Sequence, residues 1–342
     1  MKQFFTILIL LIIVWSCESN ETKGARFFLK GNDALNDGDY KEAIRLYTEA
    51  IDKYPKLQDA YNNRGVAYYK SGDSYSAIQD YTKLIMEMNA LHWNARNNRV
   101  DAYASIGKYE EAIKELNYVQ TYFPDSAAID FKKGLVNFDA KEYRSAIVSF
   151  NYAYKKDSSD VEALVNAANS YFYYSDFDRA YAKLDDAMEL DPNEPNIYNT
   201  RCMMEIANGR YELALGYVEK ALEIDPNNGI YLNNRGFLKL MLNDVEEGGK
   251  DIDKAIVSNP QNAWAYRNKG IFYFMNDQFT DAIRNFETSS KIEEDLPLID
   301  YYWGASLIEN GKKDLGCEKL RKSVDRFENQ GRTLFEKNCG VI

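Results

Sequence analysis

The sequence predicts an all-α protein built from stacked pairs of amphipathic helices, and three observations lead there. Of its 342 residues 45% are apolar and only 7 are proline, a composition that fills a core and argues against disorder. Alanines recur at a fixed step: Ala43, Ala77, Ala112, Ala146, Ala180 and Ala214 lie 34 residues apart, once 35, and Ala282 follows at twice that interval. Three further series hold the same phase. They are glycines (Gly31, Gly65, Gly134, Gly236, Gly270, Gly304), aromatic residues three places before the alanines (Tyr40, Tyr109, Tyr143, Phe177, Tyr211, Phe279) and prolines twelve places after (Pro55, Pro124, Pro192, Pro226, and Pro260 after Gly248).

Two helices fit into each period. In residues 59–70, Tyr61, Arg64, Gly65 and Tyr68 share a face at helical spacing. Ser71-Gly72-Asp73 supplies a turn, and Ala77, Tyr81 and Leu84 line a second helix over residues 75–86. Gly65 and Ala77 are small because two helices approach closely only where side chains are short, and the aromatic residues fill the volume beside that crossing. Proline closes the unit, since it cannot continue the helical ladder and restricts the residue before it. Each pair leaves an apolar face uncovered, so neighbours must stack to bury it.

This pattern resembles the consensus of tetratricopeptide repeats. The resemblance extends over nine repeats beginning near Gly24, Gln58, Trp93, Ala127, Val161, Pro195, Gly229, Ala263 and Pro297. It implies a right-handed superhelical α-solenoid over residues 24–328, closed by a short C-terminal capping helix within residues 329–342, where residues 333–338 have helical character. Departures from the consensus are Asn89, Ser158 and Glu294 in place of proline. Gly248 and Gly316 stand in place of alanine, a change expected to weaken those helices by roughly 0.5–1 kcal/mol each.

The first residues read differently. Lys2 precedes a run without charged residues, 4–15, that as a helix is about 18 Å long, too short for a hydrocarbon core of ~30 Å. Residues 1–16 therefore read as a signal peptide. Val14-Trp15-Ser16-Cys17 resembles a bacterial lipobox, which implies acylation of Cys17, with residues 17–23 as a lipidated tether. Cleavage before a free Cys17 and an uncleaved short anchor are the other readings. Two or three acyl chains hold a protein permanently, at ~0.8 kcal/mol per buried CH₂. Glu18 after the cysteine favours the outer membrane, facing the periplasm, in bacteria that follow that rule.

Export permits disulfides. Cys317 falls in the last second helix and Cys339 just past the cap, so a bond between them pins the cap and contributes about 3 kcal/mol by chain entropy; two free thiols are the alternative. Cys202 takes the glycine position of the sixth repeat and is expected to be a buried small hydrophobe.

The resemblance also implies that first helices line a concave groove. At ~100° per residue their second, fifth, ninth, twelfth and thirteenth positions face it. Those positions begin mixed (Phe28, Asn32, Asn62, Tyr69, Asn97, Asp101) and become apolar. Phe138, Phe172, Tyr173, Met203 and Phe237 lead into Met241, Trp264, Arg267, Phe274 and Tyr301, with Phe131, Leu135, Ile206, Leu240, Ile271 and Met275 among them. Aromatic and methionine residues are enriched at interface centres, so this stripe is the candidate groove; packing against neighbouring repeats is the competing account. Asn63, Asn98, Asn166, Asn234 and Asn268 recur at the sixth position, where amides could hold a peptide backbone or bond neighbouring helices. The positions that some relatives use to clamp a terminal carboxylate hold mainly Asn and apolar residues, Arg267 excepted.

A net charge of −11 with no basic run excludes a nucleic-acid surface. The chain has 1 histidine, His92, around which no catalytic set can be built, and too few scattered Cys and His for zinc. Gly248-Gly249-Lys250 lacks the first glycine of a phosphate loop (Asp244 stands there) and carries Asp251 where Ser or Thr should follow. No catalytic, cofactor or metal site is expected. The expected role is a membrane-anchored scaffold that binds a protein segment or partner helix; an accessory subunit of periplasmic cell-wall or glycan-processing machinery and an anchored or secreted sensor domain are the alternatives.

Overall fold

The computed structural model describes residues 19–326 and 328–340; the leader and Cys17 lie outside the described residues. The chain divides after Lys156 into two compact units. The first holds α1 (Asn20–Asn36), α2 (Tyr40–Lys53), α3 (Gln58–Lys70), α4 (Ser74–Lys83), α5 (Trp93–Ser105), α6 (Tyr109–Gln120), α7 (Ala127–Asp139) and α8 (Tyr143–Lys156). The second holds α9 (Val161–Tyr173), α10 (Phe177–Leu190), α11 (Pro195–Ala207), α12 (Tyr211–Ile224), α13 (Gly229–Met241) and α14 (Val245–Ser258). It continues with α15 (Ala263–Met275), α16 (Phe279–Ile292), α17 (Ile299–Glu309), α18 (Lys313–Asp325) and the cap α19 (Asn329–Cys339). Among the described residues there is no strand.

Every pair turns at the same place. The fifteenth residue of each repeat has positive φ: Gly38, Gly72, Gly107, Gly209 and Gly311, and also Lys141, Ser175, Asn243 and Asp277. This left-handed residue ends the first helix, and its N–H returns to a carbonyl of the last turn, as Gly72 N does to Tyr69 O (3.0 Å). Three second helices then open on acidic caps. Asp39 accepts from Glu42 N (3.0 Å), Asp73 from Ser76 N (3.0 Å) and Asp176 from Arg179 N (3.3 Å), contacts of about 1 kcal/mol each.

The 35-residue interval between Ala77 and Ala112 also has a visible cause. After α4 the helix continues as a π-turn, Leu84–Met88, which takes up one extra residue without breaking the stack. Asn89, in place of proline, then bonds Gln58 Oε1 through its amide (3.2 Å) and accepts from Leu91 N (3.1 Å).

Packing within a pair follows a volume rule. The periodic alanines are fully buried, and so are Tyr47, Tyr81, Phe150 and Phe286, each sixteen residues after a periodic glycine. A Cβ on Gly270 would come within 2.5 Å of the Phe286 ring, so the glycine makes room for the ring. In the seventh and ninth repeats Ile252 and Leu320 replace the ring, and there alanine gives way to Gly248 and Gly316. The two helices then meet backbone to backbone: a Cβ on Gly248 would lie 2.8 Å from Gly236 O and 3.2 Å from Leu240 N. The lost side chains are compensated by closer approach.

Between pairs, cover is shared. In the first unit Ala50, Ile51, Tyr61, Tyr81, Leu84 and Ala95 form one cluster across α2 to α5. In the second, Phe237, Leu240, Ile271, Phe286, Leu296 and Ile299 form another across α13 to α17. First helices also contact the first helices of neighbouring repeats, α1 with α3, α3 with α5, α9 with α11, and α11 through α17 in turn.

Boundaries shift at both ends. Asn20–Lys23, expected in a tether, form the first turn of α1, because Ser19 caps it by accepting from Thr22 N (3.1 Å). The ninth repeat starts its helix at Ile299 after a left-handed Leu298 (φ 65°), and the cap helix extends beyond residues 333–338 to span Asn329–Cys339. A disulfide joins Cys317 to Cys339 with Cα atoms 5.6 Å apart, and Phe335 packs with Leu320 and Val324.

Restoring the consensus alanine at Gly248 tests the volume rule. Helix propensity alone favours Gly248→Ala by about 1 kcal/mol. Contact with backbone rather than a movable side chain predicts instead a net loss of roughly 1–2 kcal/mol, because overpacking costs about 1–3 kcal/mol. Thermal unfolding should show a lower Tm; an unchanged or raised Tm would refute the rule.

Candidate partner-binding surface

The first helices of the second unit carry most of the expected groove residues, and packing divides these into two layers. Tyr173 on α9 (42% exposed) and Trp264 on α15 (38%) are open to solvent. Phe172, Met203, Met241, Phe274, Met275 and Tyr301 are half-buried. Phe237, Arg267, Leu240 and Ile271 are buried and form the floor. Their helical phase pointed at the groove, but packing covers the ninth position at Phe237 and Ile271, the twelfth at Leu240 and the fifth at Arg267. In the first unit Phe138 on α7 is half-buried against Tyr143 (5.6 Å between ring centroids), and Phe131 packs on Phe150 (5.5 Å).

Arg267 is the hinge of this surface in a chemical sense. Its guanidinium lies between the Trp264 ring (4.6 Å) and the Phe237 ring (5.1 Å). Its Nη1 donates to Pro297 O (3.0 Å), and Nε and Nη2 donate to Asn268 Oδ1 (3.0 and 2.7 Å). Burial pushes the guanidinium down to about 10, still charged at neutral pH. Trp264 is thus supported from beneath by a cation–π contact and presents its other face outward.

The recurring asparagines are occupied. In the second unit Asn268 donates to Asn233 Oδ1 (2.8 Å), Asn233 to Asn234 (3.4 Å) and Asn234 to Asn199 (2.8 Å). In the first, Asn98 donates to Asn62 (3.2 Å), Asn62 to Asn63 (3.1 Å) and Asn63 to Asn32 (3.0 Å), whose oxygen also accepts from the Tyr47 hydroxyl (2.7 Å). Asn166 instead donates to Glu162 O in its own helix (2.9 Å). Asn166 apart, these amides pass bonds between neighbouring first helices, so the ladder joins repeats and is not free for a peptide.

A set of ion pairs escaped the sequence reading. The seventh residue of the first helix is a cation in most repeats, and it reaches a carboxylate on a second helix. Arg64 pairs with Asp80 (2.7 Å) and Arg235 with Asp251 (2.7 Å) within a repeat, while Lys269 reaches back to Asp253 (2.8 Å). Arg99 and Arg96 share the buried Glu115, and Arg201 pairs with Asp185. The sixteen-residue spacing was the available signal. Burial alone would raise the Asp251 carboxyl, but hydrogen bonds from Arg235 and Lys239 outweigh it and hold it below the usual carboxylate range.

The remaining chemistry-bearing residues have structural places. His92 caps α5, its Nδ1 accepting from Ala95 N (3.2 Å). Gly248-Gly249-Lys250 lies inside α14, and Lys250 pairs with Glu247 (2.6 Å), so no loop exists there to hold a phosphate. Cys202 is buried, its thiol pushed up to about 12 by that burial. Among the described residues no three or more His, Cys, Asp and Glu converge as metal ligands.

Stacked helix pairs with a solvent-facing stripe on their first helices define a repeat scaffold. Residues 28–91, 97–161 and 165–229 match a tetratricopeptide repeat family model, residues 252–284 match a second one, and the chain belongs to the tetratricopeptide repeat family. Members bind protein partners and are generally not enzymes. The crystal structure of the APC/C hetero-tetramer Cut9-Hcn1 is similar in fold, with a TM-score of 0.61 at 13% identity over 94% of this chain and 77% of that one. A tetratricopeptide repeat protein from Parabacteroides merdae superposes with a TM-score of 0.50 at 16% identity, covering 83% of this chain and 99% of that one. U-box domain-containing protein 70 of Oryza sativa subsp. japonica is 26% identical over 115 residues, 34% of this chain but only 14% of that protein's length.

The ion pairs give a pH signature. Asp251, with its folded pKa lowered, contributes stability that is present at neutral pH and is lost as pH falls through the ordinary carboxylate value of about 4 and below. Asp251→Asn should therefore cost on the order of 3 kcal/mol at neutral pH. The gap from the parent should close in acid, measured by urea unfolding; a gap independent of pH would contradict the assignment.

Proposed function

We propose that the chain is a scaffold held at a membrane by lipid on Cys17, and that the first-helix face of its second unit takes a protein segment. The observation that carries the reading is the partly exposed layer of first-helix side chains in the second unit. Trp264, Tyr173, Met203, Met241, Phe274 and Tyr301 remain partly open on the inner helices although the repeats bury every other large side chain of their floor. Aromatic residues held rigid from below lose little entropy on binding, and methionines adapt to varied partners. With the amides committed to the internal relay, the surface favours apolar anchors of an amphipathic helix over backbone bonding to an extended strand. The Cys317–Cys339 disulfide suits an oxidising envelope compartment, and the lipobox resemblance with Glu18 favours the outer membrane facing the periplasm.

Two measurements address the two halves. Mass spectrometry of the mature N-terminus should find an acylated Cys17; a free thiol there would remove the anchor. A photo-crosslinker placed at Trp264 or Tyr173 in cells should give a discrete adduct, while one at Val257, 81% exposed on α14, should not. Equal labelling from both faces, or none from the first helices, would defeat the groove.

A further inference from the structure

Outside that groove, the first unit carries an exposed aromatic patch on one edge. It is formed where second helices end and the next first helices begin. Trp93 opens α5 and stacks on Tyr122 (5.2 Å) and Phe123 (4.9 Å) from the α6–α7 turn, and Tyr122 continues to Tyr118 (5.3 Å). Met86 (74% exposed) and Leu91 (47%) from the α4–α5 connection belong to the same edge. The turns are tied into one rim: Asn89 bonds Gln58 at the start of α3, and Lys156 at the end of α8 bonds Pro124 O (2.5 Å). Large apolar residues left this open call for an occupant.

The chain itself points to which one. α1 also begins on this edge, as its packing of Gly24 against Tyr54 at the end of α2 requires. It starts at Asn20, ahead of the repeat's first residue Gly24, and so projects about 6 Å beyond the level at which the other first helices open. Only Glu18 separates Cys17 from the cap Ser19, a span of at most about 7 Å. An acylated Cys17 therefore brings the α1 end of this edge within roughly 15 Å of its lipid, with the Trp93 and Tyr122 turns two to three helix pairs further along the same edge. The composition agrees: tyrosine and tryptophan, with apolar bodies and polar tips, are the residues of membrane–water interfaces. The charge of the edge does not oppose it. Exposed Lys53, Lys56 and Lys155 nearly offset Asp52, Asp59, Glu87 and Asp125, while Lys156 is taken up by Asp130, in a chain whose net charge is −11.

We propose that this edge of the first unit, formed by the α4–α5 and α6–α7 turns, beds into the headgroup layer of the membrane and sets how the unit stands on it. The proposal builds on the anchored reading, and its test is independent of acylation. The mature chain from residue 17, carrying Cys17→Ser, is sedimented with vesicles of phosphatidylcholine alone and with added phosphatidylglycerol. It should partition onto both, because the edge is apolar and close to neutral. Replacing Met86, Leu91, Tyr122 and Phe123 together by serine should weaken partitioning by about tenfold or more. Tyr75→Ser, equally exposed but at the opposite end of the pair, should leave it unchanged, and circular dichroism should show both variants folded. Brominated lipid should quench tryptophan fluorescence, and Trp93→Phe should abolish most of that quenching. A chain that stays in solution with both vesicles overturns the proposal. So does a fourfold variant that binds like the parent, or binding to purified peptidoglycan in place of lipid. Acylated Cys17 with no vesicle binding would sink this edge and spare the anchor; the reverse result would do the opposite.

Discussion

A hairpin of two short helices buries one flank of each and leaves the other wet, and every feature of this chain follows from how that deficit is met. Isolated helices of this length are marginal in water. Here Phe286 of one second helix shares its cluster with Leu240 three helices back and Ile299 one helix on. Tyr81 does the same with Ile51 and Ala95 in the first unit. Stability is therefore a property of neighbours rather than of repeats, and the ends need special treatment. At the C-terminal end that treatment is α19, laid over Leu320 and Val324 and stapled by a disulfide.

The same constraint explains which residues are free for function. On the inner faces of the first helices of the second unit, neighbour packing leaves a run of apolar side chains half-covered. A floor of Phe237, Leu240 and Ile271 carries Trp264, Met241 and Phe274 above it, with Arg267 locked between aromatic rings as the support. The amide relay stiffens this surface by tying α11 to α13 and α13 to α15. A rigid, aromatic, sparsely charged strip suits a helix that brings its own apolar face. The edge patch around Trp93 is different in kind: it is a rim of turns, at the same end of the helix pairs as the start of α1 where the chain would be tethered.

Much of the fold was legible because sterics leave few choices. Where two helices touch, small residues are favoured, and the turn needs one left-handed residue per repeat, so Gly65, Ala77 and Gly72 announce the period by themselves. The groove was legible only in part. Helical phase says which way a side chain points, not whether the next helix covers it, and so Phe237, Leu240, Ile271 and Arg267 were placed on a surface that they lie beneath. Two signals were present but unread. The cation sixteen residues before a carboxylate recurs in Arg64–Asp80 and Arg235–Asp251, and glycine replaces alanine only where an aliphatic residue replaces the aromatic ring. The extra residue before Ala112 was visible as a longer interval, but its place in a π-turn after Lys83 depends on backbone bonding that no local pattern encodes.

Native-state hydrogen exchange on a Phe286→Ala chain tests most directly whether neighbours share one core. The side chain is fully buried in a cluster that runs from α13 to α17, so its removal should cost about 3–5 kcal/mol. Amide protection should fall not only in α15 and α16 but also in α13 and α17, with the first unit left as protected as before. Loss confined to α15 and α16 would show that each pair stands alone, and would contradict the account.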